Sequence, residues 1–290
     1  MHLPTEIKIS VITSLYRGER YLDDFFNSFL SISNLNETEL ILIHNDPTES
    51  EIEIINIYKD RIPNIQIVQV PREGVYSSWN RAIKISTGRY IAMWNVDDRR
   101  TIHSLSEQAK MLDNDFECMI VSGDYYKILK QGDENGFLKK DPVFNNGCFL
   151  MWRKSLHDRI GYFDEQFKIG GDHDFWMRAT TFYKAGRINE ILGYYLREYN
   201  VGISKENNMN YLENAVIKSR YYRYFIIDIY SLYHGTIINN IFLRKKIKNF
   251  NYYVDLNVKP KAVMFSYLIS LFLFWIPNLK RILIRYKYSK

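Results

Sequence analysis

The 290-residue chain has few of the residues that cross-link or interrupt a fold: two cysteines, seven prolines and fourteen glycines. Cys118 and Cys148 cannot make a disulfide framework, and no Cys-x-x-Cys pair or Cys/His cluster suggests a zinc site. The first ten residues lack the basic and apolar regions of a secretory signal, so we expect a cytoplasmic protein. No internal repeat is visible, and 46% hydrophobic with 25% charged residues excludes a disordered or collagen-like chain.

The net charge of +6 is unevenly distributed along the chain. Residues 206–290 hold fourteen of the 39 Lys and Arg but only four of the 33 Asp and Glu, a balance of +10. Residues 1–205 keep 25 basic and 29 acidic groups, a balance of −4. A mildly acidic body argues against nucleic acid as a partner, and a basic tail favours contact with an anionic surface.

The first 130 residues alternate short apolar runs with helical patterns of apolar spacing. This alternation predicts an α/β fold with a mainly parallel sheet that is flanked by helices. The predicted strands are 7–11, 39–44, 65–70, 89–94 and 118–129, and the predicted helices are 22–30, 51–58, 75–86 and 104–112. Gly88 is interpreted as a left-handed cap after the third helix. We predict one domain at 1–205 and a helical, aromatic-rich extension at 206–290, with no Pro/Gly/Ser-rich linker between them.

Polar side chains follow each of the first four predicted strands. Because the carboxyl ends of parallel strands share one edge of a sheet, we expect these side chains to meet there. They include an aromatic ring for stacking, carboxylates for a ribose or a metal, and arginines for phosphate. The set is Thr13, Ser14, Tyr16 and Arg17, then Asn45 and Asp46, then Arg72 and Glu73, then Asn95, Asp97 and Asp98.

Asp97 and Asp98 are adjacent carboxylates at the end of the fourth strand. Such carboxylates repel one another, and a divalent cation with oxygen ligands relieves that repulsion. The pair therefore indicates a Mn²⁺ or Mg²⁺ site. The alternative is a turn that ends the strand, with Asp98 or Thr101 capping the next helix.

A second acidic group follows Gly170 and Gly171, where the glycine pair frees the backbone just before a predicted helix. Asp172 and Asp174 are then expected near the positive end of that helix. The alternative is that both are N-cap residues. His173 is interpreted as a surface or packing histidine, because no second histidine lies at metal-ligand spacing.

Four segments together resemble the family 2 glycosyltransferases, which are inverting enzymes of the GT-A fold. They are SVITSLY at 10–16, LILIHND at 40–46, the stretch 74–98 that ends in NVDD, and the stretch 161–178 that contains GYFDE and GGDHDF. They occur in the family's order, and the resemblance covers about residues 7–200. It implies a Rossmann-like GT-A domain with 206–290 as a C-terminal helical extension.

The resemblance also implies roles for individual residues and a reaction. A sugar would pass from a nucleotide-sugar donor, UDP-linked, to a saccharide or lipid-linked saccharide with inversion, as in bacterial surface-polysaccharide synthesis. Asp172 would be the general base. The donor-binding residues would be Thr13, Ser14, Tyr16, Asp46, Asn80, Arg81, Asn95 and Asp97. Asp97, Asp98 or both would bind Mn²⁺ or Mg²⁺, and Trp152 and Arg153 would form the acceptor side.

Three positions depart from the family pattern, one of them the opening segment, which reads Ser14-Leu15-Tyr16-Arg17 in place of the usual Pro-x-Tyr-Asn. Asn95 stands where the metal-binding motif usually begins with Asp, and Gly171 stands where an acid often precedes the catalytic Asp. An asparagine can still hydrogen-bond a ribose. Two other functions therefore stay open: a catalytically inactive binding or assembly subunit, and a sugar nucleotidyltransferase.

Residues 262–276 form an uncharged, apolar run of fifteen residues near the end of the basic tail. As a helix this run would span about 23 Å, which is short of the ~30 Å hydrocarbon core of a bilayer. With basic clusters before and after it, we expect a segment resting on the inner leaflet, and hence a cytoplasmic protein peripherally bound to the cell membrane. The alternative is a helix buried against protein.

Overall fold

The computed structural model describes residues 6–132, 137–139 and 149–197, together with Glu213 and Ile217. The chain divides into two units, Met1–Gly202 and Ile203–Lys290. The predicted segment 262–276 lies outside the described residues, and the boundary between 205 and 206 stays a prediction. Within the described part, every helix is too short or too polar to cross a bilayer.

The described residues form a nine-stranded mixed sheet with the order β3-β2-β1-β4-β8-β6-β9-β5, in which β7 pairs with β6. The strands are β1 (Ile9–Leu15), β2 (Thr38–Asn45), β3 (Ile65–Val70), β4 (Tyr90–Met93), β5 (Arg99–Arg100), β6 (Cys118–Ile128), β7 (Phe137–Lys139), β8 (Met151–Arg153) and β9 (Lys184–Leu196). Strands β1 to β4 are mutually parallel, as predicted. Strand β8 runs antiparallel to both β4 and β6, so the sheet is parallel in its first half and mixed in its second.

Six α-helices accompany the described strands. They are α1 (Glu19–Leu30), α2 (Glu49–Tyr58), α3 (Val75–Ile85), α4 (Ser104–Asn114), α5 (His157–Ile160) and α6 (Gly171–Phe182). The apolar spacing in α1 places Leu22, Phe25 and Phe29 in the core, where the rings of Phe25 and Phe29 contact Trp94. The predicted α/β architecture is therefore confirmed.

Gly88 precedes β4, and its role differs from the predicted left-handed helix cap. Helix α3 ends at Ile85 with Ser86 in an extended conformation, and Gly88 does not have a positive φ. A Cβ at Gly88 would lie 2.6 Å from Ser10 Oγ and 2.7 Å from Ser10 N. Glycine is needed here because the backbone passes close against β1, a contact that local sequence does not reveal.

Candidate active site

One edge of the sheet carries the loops that follow β1, β2 and β3, and three exposed charged residues of these loops meet around Tyr16. The Nη2 atom of Arg17 lies 2.7 Å from Asp46 Oδ2. The guanidinium carbon of Arg72 lies 3.2 Å from the centroid of the Tyr16 ring, in a cation–π contact. The structure thus brings together Tyr16 and Asp46, which were predicted to bind the donor, and adds both arginines to the group.

Arg17 and Asp46 both adopt left-handed backbone conformations, with φ values of 50° and 46°. Non-glycine residues pay a conformational penalty in this region and cluster at functional sites. The two strained turns face each other through the Arg17–Asp46 ion pair. A fixed turn at each strand end holds the side chains that line this edge.

Thr13 and Ser14 lie one layer deeper than Tyr16. The fully buried Thr13 donates its hydroxyl to the Trp94 carbonyl at 2.8 Å, which ties β1 to the end of β4. Ser14 Oγ accepts from Asn45 Nδ2 at 3.1 Å. Both residues therefore support the loops in this structure, and their contact with a nucleotide stays a prediction.

Arg81 is exposed on α3 and is held by Glu73. Its Nε and Nη2 atoms donate to the two carboxylate oxygens of Glu73 at 3.2 and 2.9 Å. This bidentate pairing lowers the pKa of Glu73, against the opposing effect of partial burial. Glu73 therefore fixes the position of the Arg81 guanidinium, and the contact of Arg81 with a nucleotide stays a prediction.

Asn80 is buried, and its side chain links α3 to the loop before α6. Its Nδ2 donates to the Phe163 carbonyl and to Glu165 Oε1 at 2.9 and 2.8 Å, and its Oδ1 accepts from Phe163 N at 2.9 Å. Ser77 adds a hydrogen bond to Glu165 Oε2 at 2.8 Å. This position does not fit the predicted lining of the nucleotide pocket, because the amide is fully used in anchoring the 161–165 loop.

Asp97 and Asp98 follow β4 at the same edge, in different environments. Asp97 is half-buried, whereas Asp98 is 1% exposed and accepts from Leu196 N at 3.1 Å and from Asn95 Nδ2 at 3.2 Å. Burial raises the pKa of Asp98 well above its ordinary value, and the neighbouring charge of Asp97 raises it further. The described residues contain no cluster of three or more His, Cys, Asp or Glu that could hold a metal by themselves.

The capping alternative for this turn does not fit the structure. The N-cap of α4 is His103, which makes no side-chain capping bond, and the Thr101 hydroxyl donates instead to the Ile191 carbonyl at 2.9 Å. Asp98 joins the turn after β4 to the end of β9. Its carboxylate therefore fixes the turn, which leaves Asp97 as the more accessible of the two acidic groups.

Asp172 lies in the first turn of α6, beside the first turn of α3. The Tyr76 hydroxyl donates to the Ile169 carbonyl at 2.6 Å and lies 3.5 Å from Asp172 Oδ1. Because α3 begins directly after the loop that carries Arg72, this contact brings Asp172 to the edge where Tyr16 and Asp97 lie. Burial raises the pKa of Asp172, while a hydrogen bond from His173 N at 2.8 Å opposes that shift.

Gly171 makes the contact between α6 and Tyr76 possible. A Cβ at this position would lie 2.7 to 2.8 Å from three atoms of the Tyr76 ring. The ring thus fills the space that an acidic side chain would need. Sequence patterns gave no reason to select Tyr76, since an aromatic residue on an amphipathic helix is typical of core packing.

Asp174 has a structural partner and does not cap α6. The N-cap residue is Gly170, which has no side chain, and the fully buried Asp174 pairs with Arg178 at 2.9 Å. Arg178 also donates to the Tyr162 carbonyl at 2.8 Å. The predicted capping role is thus wrong for Asp174, whose charge secures α6 to the preceding loop. His173 is half-buried, and its interpretation as a surface or packing histidine stays a prediction.

Trp152 and Arg153, predicted to shape the acceptor side, occupy other positions. Trp152 is fully buried, packs on Phe175 and donates from Nε1 to His157 Nε2 at 2.8 Å. Burial lowers the pKa of His157 to about 4, so this histidine stays neutral as an acceptor. Arg153 Nε donates to the Cys118 carbonyl at 2.9 Å. Trp152 is thus enclosed by core packing, whereas Arg153 is half-buried and held by backbone carbonyls, so its contact with an acceptor stays a prediction.

The sequence model of glycosyl transferase family 2 matches residues 10–171, more than half of the chain. An uncharacterized glycosyltransferase of Methanocaldococcus jannaschii is 24% identical over 257 residues, which cover 82% of this chain and 84% of the relative. The poly(ribitol-phosphate) beta-glucosyltransferase of Bacillus spizizenii is 30% identical over 95 residues, 32% of this chain and 15% of that protein.

Solved structures share the architecture of the described domain. Residues 1–349 of TarS from S. aureus, crystallised with UDP-GlcNAc, superpose with a TM-score of 0.61 at 18% identity, covering 83% of this chain and 76% of that one. The mannosyltransferase PcManGT from Pyrobaculum calidifontis, in complex with GDP-Man and Mn²⁺, gives a TM-score of 0.55 at 13% identity over 98% of this chain and 80% of that one. These likenesses confirm the predicted GT-A fold.

Proposed function

Because the chain belongs to glycosyl transferase family 2, we propose that it transfers a sugar from a UDP-linked donor to an acceptor hydroxyl, with inversion and with the help of a divalent cation. One observation carries the proposal. The Tyr76 hydroxyl reaches toward Asp172 from the start of α3, at the sheet edge that also carries Tyr16, Asp46 and Asp97. A candidate base and candidate donor-binding groups thus share one edge, as a transfer reaction between two bound molecules requires.

Tyr16, Asp46 and Arg72 would hold the nucleoside part of the donor. An aromatic ring stacks on a base, a carboxylate accepts from base N–H or ribose hydroxyl groups, and a guanidinium serves either a base or a phosphate. Arg72 covers Tyr16 at 3.2 Å, so a stacked base would enter the contact between them. The UDP-GlcNAc complex of TarS, a structural neighbour, supports a UDP-linked donor.

Asp172 would accept the proton of the acceptor hydroxyl. As that oxygen bonds to the anomeric carbon from one face, the bond from this carbon to the diphosphate oxygen breaks on the other face. The nucleoside diphosphate then leaves, and the anomeric configuration inverts. The raised pKa of Asp172 makes it a stronger base than an ordinary aspartate.

Asp97, Asp98 or both would supply the protein ligands for Mn²⁺ or Mg²⁺. The fit rests on the carboxylate pair itself, since the charge of Asp97 raises the pKa of the buried Asp98 and a cation would relieve that repulsion. One or two carboxylates suffice when substrate phosphates complete the shell. When bound, the cation neutralises charge on the leaving diphosphate. The complex of PcManGT with GDP-Man and Mn²⁺ supports this assignment.

The acceptor is proposed by chemical class only, as a saccharide or a lipid-linked saccharide. One relative is named as a poly(ribitol-phosphate) beta-glucosyltransferase, and the likeness to it covers 32% of this chain. A peripheral position at the inner face of the cell membrane would suit a lipid-linked acceptor and accords with the basic residues of 206–290.

The test incubates the purified chain with a panel of sugar nucleotides and Mn²⁺ and measures the release of nucleoside diphosphate. We expect Asp172→Asn to lower turnover about a hundredfold or more, since the amide cannot accept the proton, with UDP affinity by calorimetry unchanged. Asp158→Asn removes a charge from an exposed position on α5 and is the matched control.

Full turnover in Asp172→Asn would remove this residue from the role of base. Formation of pyrophosphate in place of nucleoside diphosphate would identify a nucleotidyltransferase. Binding of a sugar nucleotide without turnover, with every acceptor class tried, would favour the inactive assembly subunit that Asn95 and Gly171 left open.

A further inference from the structure

Glu51 is a buried carboxylate behind the Tyr16 edge, and it contacts the segments that follow both strained turns. Its Oε1 accepts from Gly18 N at 2.8 Å, directly after Arg17. Its Oε2 accepts from Thr48 N at 3.2 Å and from the Thr48 hydroxyl at 3.0 Å, two residues after Asp46. One side chain thus holds the ends of two loops that are about thirty residues apart in sequence.

Burial makes these hydrogen bonds strong. The side chains of Glu51 and His44 are both 0% exposed, and His44 Nε2 lies 3.0 Å from Glu51 Oε2. Burial alone would raise the pKa of Glu51, but the hydrogen bonds from His44, Gly18 and Thr48 hold it below its ordinary value. Glu51 is therefore an ionised acceptor, and hydrogen bonds to a charged group are stronger than neutral ones.

A helix cap alone does not require this arrangement. Thr48 and Glu51 form the capping box of α2, which needs only the reciprocal bonds between these two residues. The bond to Gly18 N lies outside the box and reaches the start of α1. The extra bond joins the β1–α1 turn to the β2–α2 turn.

We infer that Glu51 is a positioning residue for the donor site: it holds the left-handed turns at Arg17 and Asp46 in register, so that the ion pair between them and the flanking Tyr16 ring are preorganised for the nucleoside. This inference rests on the proposed function, because it names the part of the donor that the two turns would hold. Glu51 does not touch the donor itself, since its side chain is fully buried.

Calorimetry with UDP and Mn²⁺, together with donor kinetics, tests the inference on the full chain. Glu51→Gln keeps one acceptor oxygen but replaces the other with an NH₂ group and removes the negative charge. The turns at Arg17 and Asp46 should then be held by fewer and weaker hydrogen bonds. We expect the Kd for UDP and the donor KM to rise about tenfold or more, with kcat at saturating donor within about threefold of the wild type. Glu53→Gln makes the same change at an exposed position of α2 and should leave both constants unchanged.

A double-mutant cycle separates positioning from general loss of structure. If Glu51 acts through the turn at Arg17, the Glu51→Gln change should weaken UDP binding by a smaller factor in an Arg17→Ala background than in the wild type. An equal factor in both backgrounds would overturn the inference. Thr48→Ala removes one hydrogen bond to Glu51 Oε2 and should also weaken UDP binding. This variant replaces Glu51→Gln in the test if Glu51→Gln does not fold.

Unchanged UDP affinity in Glu51→Gln would also overturn the positioning role of Glu51. If that variant fails to fold, unchanged UDP affinity in Thr48→Ala has the same meaning. A variant that loses only kcat, with its UDP affinity kept, would overturn the positioning role as well. Failure of the proposed function has a different signature, since the wild-type chain would then either bind neither UDP nor GDP or bind the nucleotide without transferring a sugar. Binding by the wild type with no change in the variants refutes the positioning role alone.

Discussion

At the scale of single residues, the surroundings of Asp172 suit the task of proton acceptance. Burial raises the pKa of its carboxyl group, and the hydrogen bond from His173 N together with the Tyr76 hydroxyl opposes that shift. The ionised form is the base, so the rate is expected to fall as the pH falls through this pKa. The side chain is half-buried, which keeps it in reach of a substrate.

Tyr76→Phe tests how the Tyr76 hydroxyl affects the pKa of Asp172. The Tyr76 hydroxyl favours the ionised form of Asp172, so its removal should raise the pKa of that group and move the acid limb of the kcat profile to higher pH. Above the limb, kcat should stay close to that of the wild type. The measurement is the pH dependence of kcat at saturating donor, with Tyr183→Phe, just beyond the other end of α6, as the control.

An acid limb that stays in place, or moves to lower pH, would contradict this account of Asp172. Loss of kcat at every pH would instead point to the bond between Tyr76 and the Ile169 carbonyl, which fixes the start of α6. The shape of the profile therefore distinguishes an electrostatic from a structural role of the hydroxyl.

At the scale of elements, close backbone approaches decide how strands and helices meet. Gly88 brings the start of β4 against Ser10, and its N–H donates to Ser10 Oγ at 2.9 Å. Gly171 brings α6 against Tyr76. Neither glycine has a positive φ, so in both cases what matters is the missing side chain.

Gly88→Ala is expected to destabilise the protein by about 1–3 kcal/mol, because the added methyl group would meet backbone atoms of β1 that cannot move aside. Urea denaturation followed by circular dichroism measures this free energy of unfolding. Gly74→Ala is the matched control: its Cβ would meet nothing closer than 3.9 Å, and its φ of −71° suits any residue. Equal stability of the two variants would refute the steric argument.

At the scale of the whole described domain, the sheet collects groups from distant parts of the sequence at one edge. The parallel strands β1 to β4 bring the turns at Arg17, Asp46 and Asp97 together. Asn80, through its bonds to Phe163, carries the loop before α6 toward the same place. The candidate site is therefore a property of the strand order more than of any one segment.

Divalent cation and nucleotide should bind cooperatively at this edge. We expect Mn²⁺ to tighten UDP binding about tenfold or more in the wild type, because a cation held by these carboxylates would neutralise the charge of the diphosphate. Asp97→Asn should lose that gain and keep the metal-free UDP affinity, as measured by calorimetry with and without Mn²⁺. Asp60→Asn, at an exposed position after α2, should behave as the wild type.

A gain from Mn²⁺ that survives in Asp97→Asn would exclude Asp97 as a required metal ligand and leave Asp98 or another group to hold the cation. Weaker UDP binding in the absence of metal would show that Asp97 contacts the nucleotide directly. The two outcomes therefore distinguish a role of Asp97 in holding the metal from a direct contact between Asp97 and the nucleotide.

By itself, the sequence determined the elements and the residue types at the candidate site. The spacing of apolar residues along α1 and the alternation of strands and helices are local patterns, so the α/β class and the collection of polar groups after the first four strands followed from them. The four family segments added an expected chemistry for Asp172 and Asp97, as what the resemblance implies.

Only the tertiary structure decided which of these side chains are accessible and which are used internally. Asn80 bonds to Phe163, 83 positions away, Thr13 bonds to Trp94, 81 positions away, and Trp152 is enclosed by the core. The role of Glu51 likewise depends on Gly18, 33 positions before it. Hydrogen-bond partners so distant in sequence are set by strand order and by crossing connections, which a local pattern does not encode.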